Sequence, residues 1–465
     1  MIAPHRSGNP IPPLFLLIPL VLAIALQLGL ARLEGPFGER HPRPLSGDEK
    51  RYIEVATAWA AGEPVELDPL WPPGYPVAVA LVLRCGGSLS WVVGIQVLAL
   101  LAAGVALARV AQEAGASPAA SALAGALLIL DPEVAIFARL FRPEALHLAL
   151  LLVALLLAIR ASGPGEDRSR PRRLALLGVA LGLAITLKSL LLPFVPLFVL
   201  GVMLSRTPPE SAGPRWRGSL ARGLFVVVPL LAVLTPVLLI QHAESGSWSL
   251  GGSARFNLWV GLTDRSSRSL SEDRTWEEYQ RYRAAGATFA ERQAAITVRL
   301  RELVATRGLP ATVAGQWPRQ YFRLFDRESY FSAMLPPRGN RFLDGEGYRA
   351  APPSLARLLG GAEAVFYIAL LGLAPFGLVR LMRARRPGAL WFAVLLGCQL
   401  ALFYFVHVKA RYRLTILPLL VLGAVWAIES FRRSRRDESS AIPALDFGLG
   451  LAGAAVLLFF GFAAP

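Results

Sequence analysis

Apolar runs that approach bilayer length, one after another, constrain this chain more than any other feature. A transmembrane helix needs about 20 consecutive, mostly apolar residues, and about eleven stretches come near that length. They are 12–33, 89–111, 118–136, 144–160, 173–188, 190–205, 222–242, 361–380, 388–406, 414–431 and 442–463. Backbone groups in lipid must be paired internally, so these runs predict helices. Only 17% of the residues are charged, which is low for a soluble domain. The segment 74–86 is too short to cross and reads as a helix lying at the interface. The first run, Pro12 to Leu33, has no small-residue cleavage site after it and reads as an anchor, not a signal peptide. The expected fold class is an all-α polytopic membrane protein.

The formal net charge is +16. In a soluble protein that excess would suggest nucleic acid. Here most of it sits in short loops and reports topology instead, so no nucleic-acid partner is expected. With the N-terminus inside, the inner loops are 112–117, 161–172, 206–221, 381–387 and 432–441. Arginines repeat in and beside four of them: Arg168, Arg170, Arg172 and Arg173; Arg206, Arg215, Arg217 and Arg222; Arg380, Arg383, Arg385 and Arg386; Arg432, Arg433, Arg435 and Arg436. The loop 34–88 and the segment 243–360 then lie outside. The expected organisation is a membrane module over 1–242, an external domain over 243–360 and a second helical module over 361–465. Within the external segment, Ser271 to Arg283 and Phe289 to Thr306 have the pattern of amphipathic helices. Cys85 and Cys398 lie far apart in apolar stretches and read as packed thiols.

This parity gathers unusual polar residues at one membrane face. After the first span comes SGDEKRYIEVATAWAAGEPVELDPLWPPGYP, Ser46 to Pro76, with the acidic pair Asp48-Glu49. Arg139, Arg142 and Glu144 lie between the third and fourth spans, and Lys188 between the fifth and sixth. His407, Lys409, Arg411 and Arg413 lie between the ninth and tenth. All three lysines of the chain, Lys50, Lys188 and Lys409, fall on this face. Charges at a membrane edge are costly to keep, and together these suggest a site for an anionic group plus a base. Each has a plainer reading. Ser46 and Glu49 form a capping box, so Glu49 could merely satisfy the first helical turn. Asp48 would sit in that turn too, kept ionised by the helix dipole. Arg142 and Glu144 could be an interfacial pair. Lys188 could snorkel, and Lys409, Arg411 and Arg413 could anchor the interface. Asp131 and Glu133, flanking Pro132, are weaker candidates, and His147 and His242 read as structural.

In order and spacing, these pieces resemble the bacterial GT-C glycosyltransferases related to protein O-mannosyltransferases and the lipid A aminoarabinose transferase. The resemblance rests on GDEKRYIEVATAWAAGE with DPLWPPGYP, RLFRPEALHLALLL, GLAITLKSLLLPFVPL, GSWSLGGSARFNLWVGL and ARYRLTILPLL. The sequence departs in carrying Lys-Ser at 188–189, where relatives often have Lys-Gly, and in an external domain that looks abbreviated. The resemblance implies a GT-C fold with interfacial helices in the first external loop. It also implies an inverting transfer of a hexosyl or pentosyl group from a polyprenyl-phosphate donor to an acceptor hydroxyl on a glycan, lipid or protein. The reaction would take place on the periplasmic face of a bacterial inner membrane. It makes Asp48 the expected base, with Glu49 beside it, and Lys188, then Arg411 or Arg413, then Arg142, the expected partners of the donor phosphate. Glu144, Trp71, Tyr75, Lys409 and His407 are expected around the substrate. No nucleotide-binding glycine fingerprint occurs, as a lipid-linked donor implies. A divalent cation at Asp48 is compatible with these residues but not required by them. Two rivals are a transporter or flippase of lipid-linked substrates, and a non-catalytic GT-C-like subunit. The first predicts inverted repeats and helices broken at midplane, which the sequence does not display.

Overall fold

The computed structural model describes residues 11–34, 47–65, 68–163, 169–205, 215–268, 274–314, 316, 319–335, 352–383, 388–435 and 442–463. Among them all regular structure is helical. In chain order the helices are α1 (Pro13–Glu34), α2 (Asp48–Ala61), α3 (Gly74–Arg84), α4 (Leu89–Glu113), α5 (Pro118–Ile129), α6 (Pro132–Phe137), α7 (Glu144–Ser162) and α8 (Arg170–Leu187). After these come α9 (Val195–Met203), α10 (Arg215–Ser245), α11 (Ser253–Thr263), α12 (Thr275–Ala284), α13 (Phe289–Arg307), α14 (Leu309–Ala314), α15 (Arg319–Leu324) and α16 (Tyr330–Met334). The last four are α17 (Pro353–Arg383), α18 (Ala389–Phe405), α19 (Leu417–Ser434) and α20 (Ala444–Phe462).

Six of the described helices are long and apolar enough to cross a membrane: Pro13–Arg32, Leu89–Glu113, Glu144–Ser162, Trp216–Ala243, Pro353–Arg383 and Ala444–Phe462. The chain is a multi-pass membrane protein. The other expected spans fall on helices that are shorter, broken or charged at one end. The run 118–136 is two helices, because Pro132 cannot donate a backbone hydrogen bond and its ring crowds the preceding turn. Asp131 restarts the helix by accepting from Val134 N at 3.0 Å. The run 190–205 begins as a 3₁₀ turn, Ser189–Phe194, that contains Pro193, before α9 starts.

α19 is the buried centre, nearly all of it inside the bundle, with core residues of α4, α5, α7, α8 and α17 in the same apolar cluster. Small residues set how closely helices approach. A Cβ at Gly377 of α17 would overlap the Gly423 carbonyl of α19, so only glycine permits this crossing. At the periphery α1, α10 and α20 present Leu17, Val228 and Val456 outward, as expected of faces toward lipid.

After α1 in the chain, α2 and α3 pack through Tyr52, Ile53, Ala56, Tyr75 and Val79 onto Val92 and Val93 of α4 and onto Phe141. A Cβ at Gly74 would overlap the Thr186 backbone, so the Trp71–Pro76 turn lies directly on the end of α8. α11 to α16 form a helical layer bonded to the turn after α18. Val408 N donates to Gln320 Oε1 (3.1 Å), Arg323 Nε donates to Val408 O (2.9 Å), and His407 N donates to Asn257 O (2.7 Å). Arg323, fully buried, also pairs with Asp264 at 2.6 Å.

Candidate active site

Four chain segments converge where α2, α7, α8 and the turn before α19 meet. Asp48 is the first residue of α2, after Gly47 at φ 52°. The helix N-terminus favours a carboxylate there. Glu144 is the first residue of α7. Lys188 ends α8 in an extended conformation. Arg411 lies on the 3₁₀ turn Ala410–Thr415.

These side chains form one connected chain of charge. Arg411 Nη1 donates to Asp48 Oδ2 at 2.6 Å, and Arg411 Nε lies 3.9 Å from Glu144 Oε1. Lys188 Nζ donates to the same Glu144 oxygen at 3.4 Å. Arg142 Nη1 approaches Asp48 Oδ2 to 3.7 Å. Three cations thus surround two carboxylates, leaving one net positive charge, and Lys409 adds its field at Asp48. Burial opposes ionisation of the Asp48 carboxyl. Arg411, then Arg142 and Lys409, outweigh that effect and hold it well below the usual carboxylate range. Tyr52, one turn along α2, is pushed the other way, by burial and then by the Asp48 charge.

Several polar atoms here lack hydrogen-bond partners despite burial. They are Arg142 Nε and Nη1, Arg411 Nε and Glu144 Oε2. Buried donors and acceptors of this kind are costly unless a partner reaches them. Asp48 is the most open member, with 23% of its side chain exposed against 4% for Glu144 and 8% for Arg142. Tyr412 and Tyr330 complete the walls. Lys188 Nζ lies 4.6 Å from the Tyr412 ring centre, and the Arg142 guanidinium lies 5.2 Å from that of Tyr330. Neither tyrosine stood out in the sequence, since nothing local marks one tyrosine among several.

Not every expected residue joins the cluster. Glu49 is fully buried, and its Oε1 accepts from Phe141 N at 2.8 Å, which pins the loop that carries Arg142. The Ser46 half of the expected capping box lies outside the described residues. Tyr75 is fully buried and donates to Gln96 Oε1 at 2.6 Å, and Gln96 Nε2 in turn donates to the Ala138 and Leu140 carbonyls. Trp71 packs edge-on against Tyr279, with ring centres 5.3 Å apart. His407 Nε2 lies 2.8 Å from Thr275 Oγ1. Arg413 donates to Asp326 O (2.7 Å) and Tyr367 Oη (3.0 Å). These five therefore support the walls and loops, while Asp48, Arg142, Glu144, Lys188 and Arg411 make the charged cluster. His147 Nδ1 lies 3.0 Å from Ala184 O and His242 stacks on Trp248, both structural positions.

Among the described residues no three His, Cys, Asp or Glu side chains gather in a way that suits a metal ion. Both carboxylates of the cluster are already engaged by cations. That donor set favours an incoming anion over a divalent cation.

The fold is similar to that of a solved oligosaccharyltransferase. Its likeness is to the oligosaccharyltransferase of Archaeoglobus fulgidus in the apo form, with a TM-score of 0.52, 13% identity and 97% of this chain covered. The same enzyme in complex with Zn and sulfate gives 0.50 at 12% identity, with 95% of this chain and 53% of that chain covered. This chain spans about half, 55%, of that enzyme's length. ArnT from Cupriavidus metallidurans bound to undecaprenyl phosphate is more distant, with a TM-score of 0.39, 16% identity, and 91% and 81% of the two chains covered. At this identity the likeness speaks to fold alone. No protein-family model matches the chain, and no curated protein matches it.

Proposed function

We propose that this chain is an inverting glycosyltransferase. It moves a hexosyl or pentosyl group from a polyprenyl-phosphate donor to an acceptor hydroxyl on a glycan, lipid or protein. The observation that carries the reading is the cluster itself, in which buried cations with unpartnered donors adjoin a partly exposed, ionised Asp48. The similarity in fold is consistent with it.

The chemistry follows from charge. The bond between the sugar's anomeric carbon and the phosphate oxygen breaks, and its electron pair leaves on the lipid phosphate. Arg142, Arg411 and Lys188 stabilise that developing charge. The acceptor hydroxyl oxygen bonds to the anomeric carbon from the opposite face, which inverts configuration. Its proton passes to the Asp48 carboxylate. Beside Arg411, Arg142 and Lys409, Asp48 is a weak base. A bound phosphate shares the same guanidinium groups, weakens their hold on Asp48 and raises its basicity when the donor is present. Glu144 holds Lys188 and Arg411 at one level. Glu49, through Phe141, holds the Arg142 loop. A lipid-linked donor enters sideways from the bilayer, and the layer from α11 to α16 keeps water from competing. The positive-inside pattern supports a bacterial inner membrane with this site on the periplasmic side.

The test is a panel of polyprenyl-phosphate sugars presented to the purified chain in lipid nanodiscs. Wild type consumes at least one donor, whereas Asp48→Asn binds it without turnover. A panel in which no donor is bound or consumed contradicts the proposal.

A further inference from the structure

Two residues beyond Arg411, the same turn places Arg413 in the wall of a cavity of about 360 Å³. Its wall carries the carboxylates of Asp131, Glu133, Glu328 and Glu363 against the guanidinium groups of Arg327 and Arg413. The volume falls in the range of small-molecule sites, which runs from about 300 Å³ upward. Four carboxylates thus face two guanidinium groups, and Arg413 keeps its charge in the wall, since its hydrogen bonds go to the neutral Asp326 O and Tyr367 Oη.

The second observation is an orphaned oxygen. Glu133 is only 4% exposed, and its Oε2 accepts from Phe331 N at 3.1 Å. Its Oε1 is buried with no hydrogen-bond partner, although the side chain lines a roomy cavity. A buried carboxylate oxygen of this kind is costly unless a donor reaches it. A single metal ion does not fit, because no three candidate ligands come together among the described residues. Carboxylates spread around a wall suit an organic cation, whose several N–H donors reach more than one of them.

The cavity adjoins the charged cluster through α16. Tyr330 lies under the Arg142 guanidinium, and Phe331, the next residue, donates to Glu133. We propose that this cavity binds a primary ammonium group carried by the acceptor, so that an amine anchors the molecule whose hydroxyl is glycosylated at Asp48. The proposal rests on the glycosyltransferase reading for the word acceptor, but not for the amine site itself.

The experiment measures equilibrium binding of D-glucosamine to the full chain in nanodiscs at neutral pH, with D-glucose and N-acetyl-D-glucosamine as neutral counterparts. Charge-assisted hydrogen bonds to a buried carboxylate predict that glucosamine binds about tenfold or more tightly than either neutral sugar. The preference disappears in Glu133→Gln and persists in Asp48→Asn. Glu363→Gln, at a less buried position, provides a second variant should Glu133→Gln fail to fold, and it weakens the preference. Nanodiscs with and without phosphatidylethanolamine separate the sources. Competition by that lipid assigns the amine to a lipid headgroup, and its absence assigns it to a sugar or other soluble group. Equal binding of the three sugars overturns the proposal, as does a preference unchanged in Glu133→Gln and Glu363→Gln. Undecaprenyl phosphate binding on the same preparations separates the two readings. Its loss counts against the glycosyltransferase, and its retention without amine preference counts only against the amine site.

Discussion

Two acid–arginine clusters in this molecule use the same residue types and differ in which partner is buried. In one, Asp446 of α20 pairs with Arg380 at 3.1 Å and Arg383 at 2.6 Å. The carboxylate is 1% exposed, and the arginines are 29% and 43% exposed. In the other, Asp48 is 23% exposed, and its arginines, Arg411 and Arg142, are 14% and 8% exposed. A buried anion held by solvated cations fastens α17 to α20. Buried cations facing an open anion still have attraction to give, and unpartnered N–H groups to give it with. The first arrangement is a fastening, while the second is the one we propose receives another anion.

The sharpest way to break this contrast is to remove the charge at each aspartate. Asp48→Asn is expected to lower turnover about 10²–10⁴-fold, the usual contribution of a positioned acid–base group, while donor binding remains. Asp446→Asn leaves turnover per folded molecule unchanged and lowers thermal stability instead. Breaking a fully buried pair costs about 3–5 kcal/mol, and the open arginines reduce this to about 1–2. Turnover of the donor and a melting curve on each variant check both, and reversal of the two phenotypes would defeat the comparison.

Next in size, Lys188→Ala is expected to lower transfer about 10²–10³-fold, as loss of one donor to a developing anion does. Lys188→Arg restores part of it. The rate with saturating donor measures this.

A smaller effect is expected at Arg323, which touches none of the charged cluster but bonds Val408 O and Asp264. Its loss should loosen the turn that carries Lys409 and Arg411. Arg323→Met is therefore expected to raise the donor KM more than it lowers kcat. A loss confined to kcat contradicts that role.

The smallest effect is one of pH. Asp48 has a depressed pKa, so its ionised form stabilises the fold above the ordinary carboxylate value near 4. That stabilisation is constant from about pH 5 upward and is lost as acidification proceeds below about 4. The melting difference between wild type and Asp48→Asn across pH 3–8 checks it. A difference that changes between pH 6 and 8 contradicts the assignment.

How far the sequence alone reached also follows from the comparison. The apolar runs are legible because lipid forces both length and composition. The break at Pro132 and the 3₁₀ turn over Pro193 interrupt two of them, and six of the described helices are long and apolar enough to cross a membrane. Asp48, Arg142, Glu144, Lys188 and Arg411 are legible because an apolar setting makes each charge conspicuous. Arg413 carries the same signal yet turns to Tyr367 and Asp326, because two steps along a 3₁₀ turn select a different side. Tyr330, Tyr412 and Arg323 are not legible, since packing between distant segments gives them their positions and no local pattern encodes it. Tyr75 looked available beside a proline-rich turn, and Gln96, 21 residues away, takes its hydroxyl.

The most direct measurement is undecaprenyl phosphate retained by the purified chain in native mass spectrometry. The account predicts that wild type and Asp446→Asn hold one lipid phosphate, whereas Lys188→Ala and Arg411→Ala lose it. Equal retention by all four would contradict the claim that the buried cations of this cluster hold the donor phosphate.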